Sequence, residues 1–561
     1  MKQSKTANTT RVTSQIAPNP RMEQSYHVFM LPFIVKEDVN PKHLEERLSV
    51  YDTTKWIHVC DKVLSDEEEA RKAYNASKYF NKAAFEALHQ TTKPLHKSWH
   101  RQHKDEFLEE FELKDLDPTR SYYRLDLNHF SAHLQLQSVR VKLYNHNIGQ
   151  ILYRTYYNEA LFQKDKERKT VESYSYLDAV EDINSYGRRV SLPFVPQPEQ
   201  GSYAARLTAV AAEISVSINA ESSHNTTSYK TDFDQMAKSI VPAGSTAHTY
   251  QENAHHTIAK HAVGIIFNST IREDKYHETI IPVYDDRMIL ASIISSDEAA
   301  NLIPGYTKFK GLDEKTLSQT SPSDNNETAY DNARRLYGII SCDSHSDSPT
   351  VRDASMLQKL MHKFSLDRWN EYKSYTGVSH HAFVMIKPPI DDNAFLFDNF
   401  SYLYVEMVSL VVVQRTALLN ILHNTSEASR SIKGIHSLGL RATSRVAKIK
   451  QDIAVFTANI NLLDITEQEQ GDETYTKIRE NLGVNTLSRN VKEQVEGLSD
   501  AAQAIRSSVY NAAAFAVAVG ALVIEIDTDK IWPNECIKAV FTILIILLVF
   551  FISRRIARKK R

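Results

Sequence analysis

Two adjacent arginines near position 190 have the chemistry to hold an anionic ligand. Arg188 and Arg189 follow Gly187 at the junction of a predicted helix and a predicted strand. A guanidinium group is planar and always charged, so each can form two parallel hydrogen bonds to a phosphate or a carboxylate. We therefore treat this pair as candidate ligand contacts.

A second charged group, Asp285, Asp286 and Arg287, interrupts the otherwise apolar run IIPVYDDRMILASII. Charged side chains in a buried strand need partners, because an isolated buried charge is strongly destabilising. Pairing of Arg188 or Arg189 with one of the two aspartates would satisfy both groups as a structural ion pair. The functional alternative is a pocket in which these five residues contact a charged small molecule.

Two further segments have metal-ligand residue types without metal-ligand spacing. Cys342 begins the run CDSHSD, and His255, His256 and His261 lie in a polar segment. Structural zinc sites show paired ligands at short spacings, so we interpret both segments as polar loops. The chain lacks a phosphate-binding Gly-rich loop, a Gly-x-Ser-x-Gly turn and a His-Glu-x-x-His pair, which argues against the enzyme classes that those motifs mark. We expect no enzymatic activity and no tightly bound cofactor.

The C-terminal residues predict a membrane hairpin. Residues 507–526 and 536–553 are each long and apolar enough to cross a bilayer as a helix. The link between them contains Asp527 and Asp529, and the chain ends at 554–561 in RRIARKKR, a basic tail. Basic flanks stay in the cytoplasm, so we expect a multi-pass protein of the inner (plasma) membrane with both termini cytoplasmic.

The first predicted crossing carries two stripes at alternating spacings of four and three residues, which is the repeat of a helical seam. The apolar stripe consists of Val491, Val495, Leu498, Ala502, Ile505, Val509 and Ala512. The small or polar stripe consists of Asp500, Ala504, Ser507, Asn511, Ala514, Ala518, Ala521 and Glu525. Small and oxygen-bearing side chains suit the wall of a narrow hydrated pore, whereas the alternative is close helix packing through small residues. Both stripes predict one helix that runs from the cytosol into the bilayer.

Length and composition fit a soluble body anchored in a membrane. The chain has 561 residues, 42% hydrophobic residues and a net charge of −2, so no global charge favours direct nucleic-acid binding. We expect a disordered tail at 1–24, an α/β ligand-sensing domain at 25–395 and a helical stalk at 396–506. The predicted fold class is thus an α+β cytosolic domain followed by a long helical stalk and a C-terminal two-helix transmembrane hairpin.

Local patterns place the charged groups on this body. Strands or hairpins are predicted at 26–35, 138–158, 262–269, 279–294 and 379–385, and helices at 176–184 and 355–375. Pro32 predicts an edge or a bend for the first strand, and the last of these helices would carry Trp369 and Tyr372 on one face. The apolar segment from 400 to 422 is long enough to cross a membrane, but Glu406 and Arg415 favour a buried helix of a bundle.

The order of these parts resembles the CorA family of metal-ion channels over roughly residues 130 to 561. That family has an α/β cytosolic domain, a helical stalk, two C-terminal crossings and a basic tail, and the resemblance implies a pentamer around the first crossing. Its Gly-Met-Asn marker is missing, because Gly520 is followed by Ala521 and Leu522. This difference puts magnesium selectivity in doubt and leaves Glu525, Asp527 and Asp529 as a candidate outer acidic ring.

Four phrases are similar to a divergent branch, the CorA-like proteins associated with type III CRISPR systems. They are INSYGRRVSLPF at 183–194, VYDDRM at 283–288, YLYVEMVSLVVVQRTALL at 402–419 and ITEQEQGDETYTKIRE at 465–480. The resemblance implies an antiviral membrane effector whose cytosolic part binds a nucleotide messenger, an adenylated S-adenosylmethionine (SAM-AMP). It also implies membrane lipid and further copies of the chain as partners.

Three hypotheses follow from the sequence. The first is a messenger-gated pore in antiviral defence, with Arg188, Arg189, Asp285, Asp286 and Arg287 as ligand contacts. The second is a divalent-cation (magnesium) transporter, and the third is a membrane-anchored sensor that does not conduct.

Overall fold

A computed structural model describes most of the chain's α+β region and its helices. The described residues are 22–35, 56–59, 67–89, 108–127, 129–144, 148–168, 174–188, 212–218, 227–231, 280–282, 287–313, 327–343, 351–389, 394–433, 440–525 and 543. Outside these residues lie the second predicted crossing apart from position 543, the acidic link, the basic tail, the strand predicted at 262–269 and residues 1–21 of the predicted N-terminal tail. Residues 22–24 of that tail are described, and Gln24 begins a strand.

Thirteen strands among the described residues form one mixed sheet. They are β1 (Gln24–Val35), β2 (Trp56–His58), β3 (Leu108–Leu113), β4 (Tyr122–Leu127), β5 (Ser131–Tyr144), β6 (Ile148–Asn158), β7 (Ala212–Ile218), β8 (Thr227–Thr231), β9 (Ile280–Pro282), β10 (Ile289–Ser295), β11 (Ser365–Leu366), β12 (Tyr375–Val378) and β13 (Ala382–Lys387). Ten of the strands lie side by side in the order β11-β12-β13-β10-β1-β6-β5-β4-β7-β8. Outside this order, β9 also pairs with β1, and β2 pairs with β3, which in turn pairs with β5. Every pair is antiparallel except β10 with β13.

The hairpin of β5 and β6 organises the sheet, as the sequence predicts. β5 is long enough to pair with β4 in its first half and with β3 in its second. A shift of register between Leu136 and Ser138 separates the two halves, because a bulge increases local twist and lets a strand bend toward a new partner.

The first strand is central rather than an edge, so that part of the Pro32 prediction is wrong. β1 pairs with β6 on one side along almost its whole length. On its other side, pairing with β10 ends at Met30 and pairing with β9 starts at Phe33. Pro32 lies in the gap between these two partners, where a missing N–H breaks no ladder on that side.

One face of the sheet is covered by helices from the middle of the chain. These are α3 (Glu159–Arg168), α4 (Tyr176–Tyr186), α5 (Asp297–Ala300), α6 (Leu302–Lys310), α7 (Glu327–Ser341) and α8 (Ala354–Phe364). Alternate residues of the strands, such as Phe29, Leu134 and Val384, form one buried cluster with Leu177 and Ile339 of these helices. The alternation is the two-residue period of a strand with a buried face.

The predicted helix at 355–375 ends at Phe364, so its second half is a correction to the sequence prediction. The chain instead makes β11, a loop with a single 3-10 turn (Asn370–Tyr372), and β12. Trp369 and Tyr372 therefore lie on a loop between two strands.

The opposite face of the sheet is covered by the start of an apolar helix and by segments distant in sequence. Their bounds are α1 (Glu67–Tyr79), α2 (Lys82–Leu88), α9 (Ala394–Asn399), a π-helical turn (Phe400–Tyr404), α10 (Val405–Lys433) and α12 (Glu469–Asn481). Phe383 of β13 stacks on Phe400 and Tyr404, with ring centroids 6.4 and 5.8 Å apart.

Contacts divide the chain into two compact units, and the division falls inside α10. The first unit contains residues 1–416 and 462–484, and the second contains 417–461 and 485–561. The predicted stalk boundary at 396 therefore differs from the structure, because buried contacts of Glu406 and its neighbours join the start of α10 to the sheet.

Among the described residues, the second unit contains three helical segments: the rest of α10, α11 (Leu440–Asn459) and all but the first residue of α13 (Val484–Glu525). Each buries a stripe whose members are three, four or seven residues apart. The stripes are Leu418, Ile421, Thr425 and Ala428; Val446, Ile449, Phe456 and Ile460; and Val491, Val495, Leu498 and Ala502. Such spacing is typical of helices that pack along one another.

α13 runs without interruption for 42 residues, which confirms the predicted continuous helix. Among the described residues, the segment Phe395–Arg430 is the one whose helix has the length and apolar composition to cross a membrane, and 78% of its apolar window is buried within the chain. That burial agrees with the interpretation of this segment as a core helix.

Candidate functional site

Four chain segments bring two arginines, a cysteine and a histidine together in the first unit. Arg188 directly follows the end of α4, and its carbonyl oxygen accepts a hydrogen bond from the backbone N–H of Met288 at 2.6 Å. This bond fixes the chain next to Arg287. On the neighbouring strand, the carbonyl oxygen of His381 accepts from the N–H of Leu290 at 3.0 Å. Arg188 and Arg287, two of the three arginines singled out from the sequence, thus belong to one site.

The end of α4 is held closely by its surroundings. The Tyr123 hydroxyl donates to the Gly187 carbonyl at 2.6 Å. A Cβ atom at Gly187 would lie 2.5 Å from the carbonyl oxygen of Ile183 and 3.0 Å from the Phe29 ring. Any larger residue here would displace the backbone, so glycine sets the position from which Arg188 projects.

Arg188 itself is fully buried and is the largest of the fully buried side chains. Burial raises the pKa of the neighbouring Cys342 thiol, while the charge of Arg188 opposes the rise. The thiol therefore stays protonated at neutral pH and is not a reactive thiolate.

Cys342 follows the end of α7 with a positive φ of 57°. Beside it, the Asp343 N–H donates to the Gly338 carbonyl at 2.9 Å. A left-handed residue at the end of a helix is common, but glycine is the usual choice because a side chain makes the conformation less stable. The sequence interpretation of this segment as a polar loop is wrong for Cys342, which is buried in the core cluster.

His381 supplies the clearest sign that the site is positively charged. The His381 side chain is exposed, and partial desolvation together with repulsion from Arg188, Arg287 and His380 lowers its pKa to about 4. The imidazole is consequently neutral at pH 7 and can both donate and accept a hydrogen bond. Two fixed cations next to neutral hydrogen-bonding groups are suited to a phosphate or a carboxylate.

Of the predicted ligand residues, Arg189, Asp285 and Asp286 lie outside the described residues, so the predicted arginine–aspartate pair stays a prediction. His381 is a residue of this site that the sequence did not single out, and Cys342 was considered in the sequence only as a metal ligand or as part of a polar loop. His381 follows His380 just before a strand, which is a weak signal, and only the fold brings it to Arg188.

The predicted pore face lies on α13. The described side chains of this stripe, Asp500, Ala504, Ser507, Asn511, Ala514 and Ala518, are exposed. The side chains of Ala521 and Glu525, and the whole of Asp527 and Asp529, lie outside the described residues. After Ala502, each described side chain of α13 is exposed, including the large apolar residues Tyr510 at 53%, Phe515 at 59% and Val517 at 67%.

Comparison with known proteins identifies no relative. The described fold defines an α+β protein with a helical second unit. No protein-family model matches the chain, and no curated protein or solved structure is significantly similar to it. The CorA-like resemblance therefore stays a proposal.

Proposed function

We propose that this chain is a CorA-like membrane effector in which the α+β unit binds a nucleotide messenger and the helical unit forms a gated pore. The role in type III CRISPR defence and the choice of SAM-AMP come from the resemblance of the four phrases given above. The site in the first unit and the long helix of the second support the two physical halves of this proposal.

The membrane part of the proposal is supported most directly by the change in side-chain exposure along α13. Its apolar stripe is buried from Val491 to Ala502, and the same helix then exposes Tyr510, Phe515 and Val517 without interruption. Large apolar side chains exposed together mark a surface that contacts lipid or another protein chain. A bilayer and further copies of the chain would cover this segment.

The ligand-binding part of the proposal rests on the arginine cluster, which consists of Arg188 and Arg287 with the neighbouring Cys342 and His381. Arg188 and Arg287 both lower the pKa of His381, so their charges act on the same small volume. A messenger phosphate would replace the repulsion between these cations with attraction. Because Arg188 is fully buried, the ligand would have to bind a more open arrangement, and it can shift the equilibrium only by its preference for that arrangement.

A specific observation favours a second candidate, a membrane-anchored sensor that does not conduct. Phe515 lies four residues after Asn511 and is therefore one helical turn further along nearly the same face. Its large exposed ring borders the small stripe and would suit lipid or close packing better than water. Under this proposal α13 anchors the chain and carries no ion path.

Ion flux through the full chain in liposomes separates the two candidates and also tests the magnesium-transporter hypothesis. We expect dye or ion release only after addition of SAM-AMP, and less release for Asn511→Leu than for the matched variant Val517→Leu. Steady flux of Mg²⁺ without a messenger would favour transport. An absence of flux with and without SAM-AMP, from protein shown to be inserted, would contradict the pore.

A further inference from the structure

A cleft in the first unit lies between the loop that joins β11 to β12, the π-helical turn and α12. Its lining residues come from three separate parts of the sequence and include aromatic rings, a cation, an anion and an amide. They are Leu366, Arg368, Trp369, Thr376, Phe383, Tyr404, Gln470, Glu473 and Thr474. No part of the arginine cluster described above contributes to it.

Aromatic rings form the floor and the rim of the cleft. Phe383 and Tyr404 are buried and stack on each other, whereas Trp369 is 44% exposed at the mouth. An exposed indole next to buried rings offers a flat surface on which another ring can stack.

Within the lining of the cleft, the charge of Arg368 is matched by that of Glu473. Glu469, which lies outside the lining and is largely exposed, also contacts Arg368 at 3.4 Å. Arg368 donates two hydrogen bonds to one carboxylate oxygen of Glu473, at 3.1 and 3.0 Å. A cationic ligand would meet the guanidinium group, and an anionic ligand would meet the carboxylate. The cleft therefore suits an uncharged ring that can use both a donor and an acceptor.

The volume of the cleft limits the size and the position of that ring. The cavity volume is about 300 Å³, which includes space open to solvent, and the cleft has room for little more than one water molecule. A single ring system lying in the mouth against Trp369 fits this shape, whereas a ligand inserted beneath the rings does not.

The loop that carries Trp369 is held in place before any ligand binds. Asp367 accepts from Asn370 at 3.0 Å and forms an ion pair with Lys310. Further along the loop, Lys373 donates to Asn301 at 2.9 Å. A fixed aromatic residue loses little conformational freedom on binding, which favours affinity.

The cleft also includes the start of α12. Gln470 donates to the Tyr404 hydroxyl at 2.8 Å, and Tyr404 ends the π-helical turn. In the same turn, the Ser401 carbonyl accepts from Arg154 at 2.9 Å. π-helical turns are rare and frequently occur at functional sites, and this one places a ring in the cleft.

We propose that this cleft binds an uncharged planar heteroaromatic ring of the purine type, stacked on Trp369. This inference deepens the proposed function, because the ring would be the base of a nucleotide bound by the first unit. The inference depends on the proposed function only for the choice of adenine as the base. Its test uses a nucleoside without phosphate and does not require measurement of ion flux across a membrane.

Titration of the detergent-solubilised full chain with adenosine, followed by calorimetry, tests the cleft alone. We expect Trp369→Ala to weaken adenosine binding by roughly 5- to 100-fold, since stacking on one aromatic side chain has about that effect. Trp369→Phe should retain most of the affinity. Phe395→Ala is the matched control, because Phe395 is an aromatic residue of the same unit that is 56% exposed and does not line the cleft, whereas Tyr372 packs against the Trp369 ring with centroids 6.0 Å apart.

Three outcomes would overturn the inference. The first is undetectable adenosine binding by the wild-type chain, and the second is equal affinity for the wild type and Trp369→Ala. The third is tighter binding of choline, a cation without an aromatic ring, than of adenosine. A failure of the proposed function would look different, because SAM-AMP-dependent flux would be absent while adenosine still bound in a manner sensitive to Trp369.

Discussion

Lys142 of β5 and Glu406 of α10 form a buried ion pair although 264 residues separate them in the sequence. Glu406 also binds Arg154 of β6 at 2.9 Å, and the Lys142 ammonium lies 3.9 Å from Glu110. Burial opposes the charge on Glu406, but Lys142 and Arg154 outweigh it and lower the pKa of its carboxyl to about 2. The pair therefore ties the apolar helix to the sheet in its charged form.

Removal of one partner from this pair should destabilise the first unit strongly. We expect Glu406→Gln to reduce the free energy of unfolding by about 3–5 kcal/mol, because it removes the closest anion of Lys142 and leaves only Glu110, at 3.9 Å, beside that buried charge. The double variant Lys142→Met with Glu406→Leu should lose less than the sum of its two single variants, although Arg154 also loses a carboxylate in it. Denaturant unfolding of the wild type, the two single variants and the double variant measures the coupling, and strictly additive losses would argue against a direct pair.

Acid should destabilise this unit through buried neutral histidines. Burial lowers the pKa of His27 to about 4, against an ordinary 6.5, while a hydrogen bond to Asn184 opposes the shift. Between these values the unfolded chain binds a proton that the folded chain does not, so stability falls as pH drops from about 6.5 to 4. At pH 5 His27 alone should account for about 2 kcal/mol.

The substitution His27→Gln tests this dependence, because glutamine cannot titrate in that range. The variant should lose stability with falling pH less steeply than the wild type, by up to about 1.4 kcal/mol per pH unit. His362→Gln is the matched control on an exposed position of α8. Identical pH profiles for wild type and His27→Gln would contradict the prediction, because they would show that the pKa of His27 is the same in the folded and the unfolded chain.

Substitutions in the arginine cluster should weaken ligand binding whether or not the protein is in a membrane. Arg188→Lys keeps the charge but loses the planar fork, so we expect SAM-AMP to bind at least roughly tenfold more weakly. Arg287→Ala is a second variant at a half-buried position, where a folding defect is less of a concern than at Arg188. Arg334→Ala, at an exposed arginine of α7, should bind normally. Unchanged affinity in both cluster variants would remove the ligand assignment.

Two neighbouring residues of α13 should respond to substitution in opposite directions. Leu498 is 8% exposed in the buried stripe, and Leu498→Ala should cost about 2–5 kcal/mol of stability. A Cβ atom at Gly497 would meet no atom within 4 Å, so Gly497→Ala should stabilise the helix by up to about 1 kcal/mol. Thermal melting of both variants measures this contrast, and equal effects would contradict the packing of the stripe.

Features with a local cause could be predicted from the sequence. The β5–β6 hairpin follows from alternating residues around a turn, and the 42-residue helix follows from two uninterrupted stripes. Pro32 suggests an edge strand, but β1 is central. The gap between β9 and β10 that accommodates the proline depends on how the sheet is assembled and is not visible in the sequence of β1. Trp369 was placed on a helix because the pairing of β11 with β12 is not visible in the local pattern.

The candidate sites could be predicted only in part. Arg188 and Arg287 stood out because charges interrupt apolar sequence, whereas His381 joins them through the pairing of β13 with β10. Glu406 was recognised as unfit for lipid, yet its partners on β5 and β6 could not be found from spacing. The cleft at Trp369 had no sequence signal, because its lining comes from segments about a hundred residues apart.

Cysteine accessibility along α13 tests the central claim, that its small stripe faces a shared hydrated axis. Cysteines placed singly at Ser507, Asn511, Tyr510 and Val517, in a background without Cys60, Cys342 and Cys536, would be labelled in liposomes with a hydrophilic thiol reagent. The account predicts that positions 507 and 511 are modified and crosslink between copies, while 510 and 517 are protected by lipid. Protection of 507 and 511, without crosslinks between copies, would contradict it.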